Sequence, residues 1–199
     1  MELSQQRKPT AVRRVEIANA ALLLLAQQGS KAFTTATLAR EVGLTSGALF
    51  RHFASLDDVL SEAVQQALIK IEATFPDPSL PGIQRLSQLA SKRIELIRSE
   101  PGLAWILRST EACHLLPDEA LLQLDKMIRR SRSYLLNALS DGASEGSVRT
   151  DISPETLLII VTGTIQSLIG MSGPSHQSSR TPQPKPAMIL RELTKIIGI

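Results

Sequence analysis

The sequence has few of the residues that build aromatic cores, disulfides or zinc sites. Aromatic residues make up only 3% of the 199 residues, so any hydrophobic core has to be aliphatic. The single cysteine, Cys113, excludes an internal disulfide and a cysteine-rich zinc site. The first residues lack the charged and then apolar order of a signal peptide. Since no apolar run is long enough to span a bilayer, we expect a soluble, cytoplasmic protein.

What the chain does have is a large aliphatic content at helical spacing. Hydrophobic residues make up 43% of it, and neither an alternating strand pattern nor an internal repeat is present. We therefore expect an all-α fold of about nine or ten helices. The net charge of +3 and the pI of about 9.3 suit a nucleic-acid partner without requiring one.

Glycine, proline and capping residues predict where the helices begin and end. Gly29 is a natural stop for the first helix, and Ser55 and Ser153 are natural caps for later ones. The expected helices cover 10–28, 35–42, 46–52, 56–74, 83–99, a short stretch to about 112, 118–144, 154–171 and a last amphipathic segment. A loop rich in glycine, proline and serine is expected over 172–186.

Residues 34–53, TTATLAREVGLTSGALFRHF, carry the clearest functional signal. Two short helices flank a turn at 42–45, which is the helix-turn-helix pattern, and Gly43 can adopt the left-handed backbone that the turn needs. Thr45 can cap the second helix. The small residues at 46–48 then allow the helix end to enter a major groove and to bring backbone N–H groups to a phosphate.

The segment from about Val15 to Leu60 resembles the DNA-binding domain of TetR-type transcriptional regulators. The resemblance rests on residues 34–60, TTATLAREVGLTSGALFRHFASLDDVL, preceded by a helix that ends in Gln27-Gln28-Gly29. It implies a helix-turn-helix DNA-binding domain at 1–55, with a basic arm at 1–9. A C-terminal helical domain for ligand binding and dimerisation would cover 56–199.

The resemblance also implies which residues contact DNA. They are Thr35, Thr45, Ser46, Gly47, Ala48, Phe50, Arg51 and His52. Arg51 is the candidate for a specific contact because its fork can pair with guanine O6 and N7. Phe50 stands where the family usually has tyrosine, and Leu56 where it usually has lysine, so two phosphate contacts are missing here.

Each of these residues also has a plainer interpretation when it is taken alone. The threonines at 34 and 35 could simply cap a helix, His52 could pack or cap, and Arg51 could be a solvated surface residue. The cations Arg7, Lys8, Arg13 and Arg14 near the start of the chain could form either a solvated tail or an arm that contacts DNA.

The rest of the chain carries no comparable motif. The resemblance implies, from their position in the chain, that the helices near 118–144 and 154–171 are the dimerisation pair. Independently, the second helix is apolar nearly all round and needs partners on several sides. The alternative is that one chain buries everything itself. The predicted ligand-binding residues are Trp105, Arg108, Glu111 and His114. Trp105 could equally be a core residue, and Arg108 with Glu111 a surface ion pair. Cys113 and His114 lack the partners of a metal site.

The sequence is compatible with two functions and disfavours a third. The first is a transcriptional regulator, expected to be a repressor, whose homodimer binds a palindromic operator and is released by a small apolar or amphipathic effector. The second is a DNA-binding protein of the same fold that answers to a protein partner or organises DNA, as nucleoid-associated division inhibitors do. The third, an enzyme, is disfavoured because no catalytic or cofactor motif is present, and neither catalytic residues nor a cofactor or metal is expected.

Overall fold

The computed structural model describes residues 9–170 and 185–198, and this part of the chain is α-helical. Its α-helices are α1 (Thr10–Gln28), α2 (Thr35–Glu41), α3 (Ser46–Leu49), α4 (Leu56–Glu72), α5 (Gly82–Ser99), α6 (Pro101–Arg108), α7 (Ala112–Leu115), α8 (Asp118–Ser144), α9 (Pro154–Gly170) and α10 (Pro186–Ile197). Within the described ranges, extended pairing is limited to an isolated bridge between Val148 and Gly198. The predicted all-α fold is therefore confirmed.

Local capping explains why several helices begin where the sequence predicts. The Ser55 hydroxyl accepts a hydrogen bond from the Asp58 N–H at 3.1 Å, and the Ser153 hydroxyl accepts one from Thr156 at 3.3 Å. The stretch expected as one short helix up to about residue 112 is instead two helices, α6 and α7. The break follows because Ser109 has an extended backbone, with φ −75° and ψ 131°. Most of the predicted loop at 172–186 lies outside the described residues.

The chain divides into two compact units. The first consists of Met1–Ile69 and Glu100–Leu124, and the second of Lys70–Ser99 and Asp125–Ile199. The predicted domain boundary after residue 55 stays a prediction.

In the first unit, α6 packs closely against α1. A Cβ atom added at Gly102 would lie 2.6 Å from the Cβ of Leu22, so only glycine allows the two helix backbones to approach this far. Ile17, Leu24 and Leu25 of α1 are almost fully buried in the same unit. Helix α1 thus forms part of the support on which the shorter helices α2 and α3 are built.

In the second unit, the core is aliphatic, as the composition requires. It consists of Leu86, Leu89, Ala90, Ile94, Leu135, Ala138, Leu139, Val148, Leu157, Leu158, Val161, Ile165, Leu168, Leu190, Leu193 and Ile197. Helix α9 contributes one face to this core, while Ile159 and Ile160 on its other face are 64% and 40% exposed. Across the described ranges, no helix combines the length and the apolar character needed to cross a membrane.

Candidate nucleic-acid interface

The turn between α2 and α3 has the geometry that the glycine predicts. Gly43 has φ +65°, in the left-handed region that residues with a Cβ rarely adopt. The Leu44 N–H donates to the carbonyl of Ala39 at 2.8 Å, and the Gly43 N–H to that of Arg40 at 3.2 Å. These bonds reverse the chain directly after α2, and residues 34–53 are called the helix-turn-helix below.

Threonine side chains cap both helices of the helix-turn-helix. The Thr34 hydroxyl accepts a hydrogen bond from the Thr37 N–H at 3.2 Å, and the Thr45 hydroxyl accepts one from the Ala48 N–H at 3.1 Å. Each cap satisfies an N–H group that has no partner inside its own helix. The predicted cap at Thr45 is confirmed.

Regular α-helix in the second element is shorter than predicted. It ends at Leu49, and residues 50–52 continue as a turn in which the Arg51 and His52 N–H groups donate to carbonyls three residues earlier. The predicted extent of 46–52 was wrong in this respect. The reason is that the apolar spacing of Leu49 and Phe53 suits a helix and a tight turn equally.

One side of the helix-turn-helix is buried and apolar, and the other is exposed and mostly polar. Leu38, Ala39, Leu49 and Phe53 are at most 2% exposed, so they hold α2 and α3 from behind. The predicted DNA-contacting residues that are exposed are Thr45, Ser46, Gly47, Phe50 and Arg51, and Thr35, Ala48 and His52 are half-buried. The fold thus brings all eight predicted positions together in one short region.

The two positions that depart from the family pattern differ in their surroundings. Phe50 is 48% exposed, so an apolar ring stands on the surface where a phenol hydroxyl was expected. Leu56 is the first residue of α4 and is half-buried. Neither side chain offers a donor to a phosphate group.

Arg13 and Arg14 lie inside α1 and therefore do not belong to a flexible tail. Arg13 Nη1 donates to Glu16 at 2.9 Å, and Arg14 Nη2 donates to Glu62 at 2.9 Å. Arg7 and Lys8, the other two cations of the predicted arm, lie outside the described residues. The sequence did not predict the ion pair of Arg14, because its partner Glu62 is 48 residues away.

The predicted ligand-binding residues lie on α6, on α7 and in the link between them. Trp105 is half-buried, whereas Arg108, Glu111 and His114 are exposed. Glu111 Oε2 accepts a hydrogen bond from the Ser30 N–H at 3.1 Å and is not in an ion pair with Arg108. Within the described residues, no group of three or more histidine, cysteine or acidic side chains could hold a metal ion.

Comparisons with known proteins agree with this geometry. Residues 17–63 match the model of the family described as bacterial regulatory proteins, tetR family. The chain is 27% identical over 146 residues to the transcriptional repressor KstR2 of Rhodococcus jostii, covering 72% of this chain and 71% of that protein. It is 28% identical over 175 residues to the nucleoid occlusion factor SlmA of Marinobacter nauticus, covering 80% and 85%.

The whole fold also matches a solved structure. The ketosteroid transcriptional regulator KstR2 of Mycobacterium tuberculosis superposes with a TM-score of 0.75, covering 100% of both chains at 21% identity. At this identity the likeness concerns the fold. The match extends beyond the helix-turn-helix to the helices of both compact units.

Proposed function

The chain belongs to the TetR family of bacterial DNA-binding transcriptional regulators, and on that premise we propose that it represses transcription from a palindromic operator. It binds there as a homodimer and is released by a small apolar or amphipathic effector. The observation that carries the proposal is the outward side of the helix-turn-helix, formed by residues 35, 45–48 and 50–52 and called the front below, which lies opposite buried apolar residues. A front of this kind reads base edges in the major groove.

The residues of that front are expected to make different contacts with DNA, according to their chemistry. Ser46 and Gly47 are small and exposed, so the start of α3 can approach the DNA backbone closely. Arg51 is exposed and, among the described residues, has no ion-pair partner, which leaves its fork available to a guanine. Thr35, Thr45 and His52 add contacts to phosphate.

Two neighbouring side chains complete the front. Ala48, half-buried, lies where a methyl group would contact a thymine methyl, and Phe50 adds apolar contact without a hydrogen bond. We assign the specific contact to Arg51 and treat the other residues as positioning the protein on the duplex.

The homodimer is supported by the surface of α9. Ile159 and Ile160 are exposed beside Gly163, Thr164 and Ser167, and these residues line an open groove. Large aliphatic side chains grouped on one helix face usually mark an interface. A second copy of the chain would cover this face, with α8 as the other half of a four-helix bundle, and would supply the second helix-turn-helix that a palindrome requires.

The effector is proposed to be apolar or amphipathic because the buried side chains around the predicted ligand residues, Leu103, Ile106 and Leu116, are aliphatic. The structural neighbour's description as a ketosteroid regulator points to the same chemical class. A ligand that contacts Trp105, Arg108, Glu111 and His114 would bind at the surface formed by α6 and α7. A thermal-shift screen with steroids, fatty acids and other metabolites tests this part, since a ligand that binds the native state raises the melting temperature.

A second candidate function has one observation in its favour. The match to a nucleoid occlusion factor covers 80% of the chain, slightly more than the match to the repressor. A protein of that kind would bind DNA specifically without a small-molecule effector. If footprinting finds specific sites but no compound in the screen raises the melting temperature, this second function is favoured.

Binding to genomic DNA fragments during a salt titration, followed by footprinting, tests the main proposal. We expect protected palindromic sites, bound at least about 10³-fold more tightly than bulk DNA. Arg51→Ala should lower the discrimination between operator and bulk DNA by about 10- to 100-fold. Lys92→Ala, an exposed cation on α5, is the matched control and should have no effect. Equal affinity of the wild-type protein for all fragments at moderate salt would overturn the proposal.

A further inference from the structure

Arg14 of α1 joins three parts of the first unit. Its Nη1 donates to the backbone carbonyl of His52 at 2.6 Å, and its Nη2 and Nε donate to Glu62 Oε2 at 2.9 and 3.3 Å. Its guanidinium carbon also lies 4.1 Å from the ring centroid of Phe53. One side chain of α1 thus contacts both α4 and the end of the helix-turn-helix.

We propose that Arg14 is a positioning residue for DNA recognition, which fixes α3 and the turn after it at the angle that operator binding requires without touching the DNA. The inference rests on the DNA contacts proposed above and adds a residue that the family resemblance did not supply. Together with Glu62, His52 and Phe53, Arg14 is called the arginine clamp below.

The short length of α3 explains why such a clamp is needed. A helix of four residues has almost no stability of its own, since forming the first turn costs more than one hydrogen bond returns. Its cap at Thr45 fixes the start, and the N–H groups of Arg51 and His52 satisfy the carbonyls of Ala48 and Leu49 at its end. The bond from Arg14 to the His52 carbonyl then anchors the turn that follows α3, next to Arg51.

The side chain of His52 does not supply that anchor. Its Nδ1 atom is buried and has no hydrogen-bond partner among the described residues. On that side the ring makes only packing contacts. The hydrogen bond that links this residue to α1 is therefore accepted by the His52 backbone carbonyl. The orientation of His52 and of Arg51 before it therefore depends on Arg14.

Glu62 holds the other side of the clamp. Its carboxylate also accepts a hydrogen bond from Gln66 Nε2 at 2.9 Å. Burial raises the pKa of Glu62, but the hydrogen bonds from Gln66 and Arg14 outweigh it and lower the pKa below its usual value. The carboxylate is therefore ionised at neutral pH, and the guanidinium fork it occupies is less available to a phosphate.

Two variants of Arg14 and one of Glu62 separate positioning from direct contact. Arg14→Met keeps the stem and removes the fork, Arg14→Lys keeps the charge, and Glu62→Gln removes a negative charge near the interface. Arg13→Met is the matched control, because among the described residues the ion-pair partner of Arg13 is Glu16 of the same helix. Operator and bulk-DNA affinities are measured over a range of salt concentrations for each variant.

We expect Arg14→Met to weaken operator binding by at least about tenfold, the effect of losing one charge-assisted hydrogen bond, with an unchanged salt slope. Arg14→Lys should not restore affinity, since a point charge cannot replace the fork. Glu62→Gln should also weaken operator binding, although removing a negative charge would by itself tighten it. A salt slope that flattens by about one in Arg14→Met, with recovery in Arg14→Lys, would show a phosphate contact and overturn the proposal.

Hydrogen exchange on the free protein tests the clamp without DNA. Amides of residues 46–53 should exchange faster in Arg14→Met and in Glu62→Gln than in Arg13→Met, while the amides of α5 stay protected. Unchanged exchange at 46–53 would overturn the clamp even if the protein binds its operator. Conversely, faster exchange in a protein without any sequence preference would support the clamp and contradict only the proposed repressor function.

Discussion

The helix-turn-helix and α9 place their apolar side chains in opposite ways. In the helix-turn-helix, Leu38, Leu49 and Phe53 are at most 2% exposed. In α9, Ile159 is 64% exposed although Leu157 and Leu158 beside it are buried. The first region buries its hydrophobic residues within one chain and offers mainly polar groups outward. The second leaves large aliphatic side chains uncovered, as a surface that binds another protein does.

This difference fits the two partners proposed above, DNA and a second copy of the chain. A mainly polar front with the exposed Arg51 suits a hydrated, charged ligand such as DNA, for which hydrogen bonds and ionic contacts supply the specificity. An uncovered aliphatic face stabilises a complex when the partner removes it from water, by about 25 cal/mol for each Å² that is buried. Substitutions in the two regions should therefore affect different properties, folding stability in the helix-turn-helix and assembly in α9.

The largest expected effect is on folding, at adjacent positions of the helix-turn-helix. Leu49→Ala should lower the free energy of unfolding by about 2–5 kcal/mol, because Leu49 is fully buried and its removal leaves a cavity. Phe50→Ala should change it by no more than about 0.5 kcal/mol, since that ring is half exposed. Urea denaturation at one protomer concentration measures both, and equal losses would contradict the burial pattern.

The second effect is on assembly. Ile159→Asp places a charge on the exposed face of α9 and should raise the dimer dissociation constant by about 10- to 100-fold. Ile69→Asp is the matched control, because Ile69 is also a half-exposed isoleucine on a helix, at 54%. Sedimentation over a range of protein concentrations measures the oligomeric state. If both variants dissociate alike, or neither does, α9 is not the interface.

Local signals in the sequence predicted most of the fold. A glycine at a turn and a hydroxyl at a helix start act over three or four residues, so Gly43, Thr45 and Ser55 could be assigned without knowledge of the tertiary structure. The structure bears out all three. The end of α3 could not be assigned in this way, because the residues after Leu49 suit a helix or a turn by their spacing.

Long-range contacts are what the sequence could not supply. Arg14 reaches His52 and Glu62, which are 38 and 48 residues away, and nothing near Arg14 in the sequence distinguishes it from Arg13. For the same reason the predicted ligand residues could be chosen only by residue type. Three of them are exposed, and Glu111 accepts a hydrogen bond from the distant Ser30.

The smallest effect concerns Thr45, where capping and DNA binding depend on one hydroxyl. Its oxygen accepts from the Ala48 N–H, which leaves its own hydrogen free to donate to a phosphate. Thr45→Ala should therefore lower the free energy of unfolding by about 1 kcal/mol and weaken operator binding as well. Thr45→Ser keeps the hydroxyl and should retain both properties. If the serine variant loses as much as the alanine variant in denaturation and operator titration, the methyl group and not the hydroxyl holds the start of α3, and the polar character assigned to this front is wrong at that position.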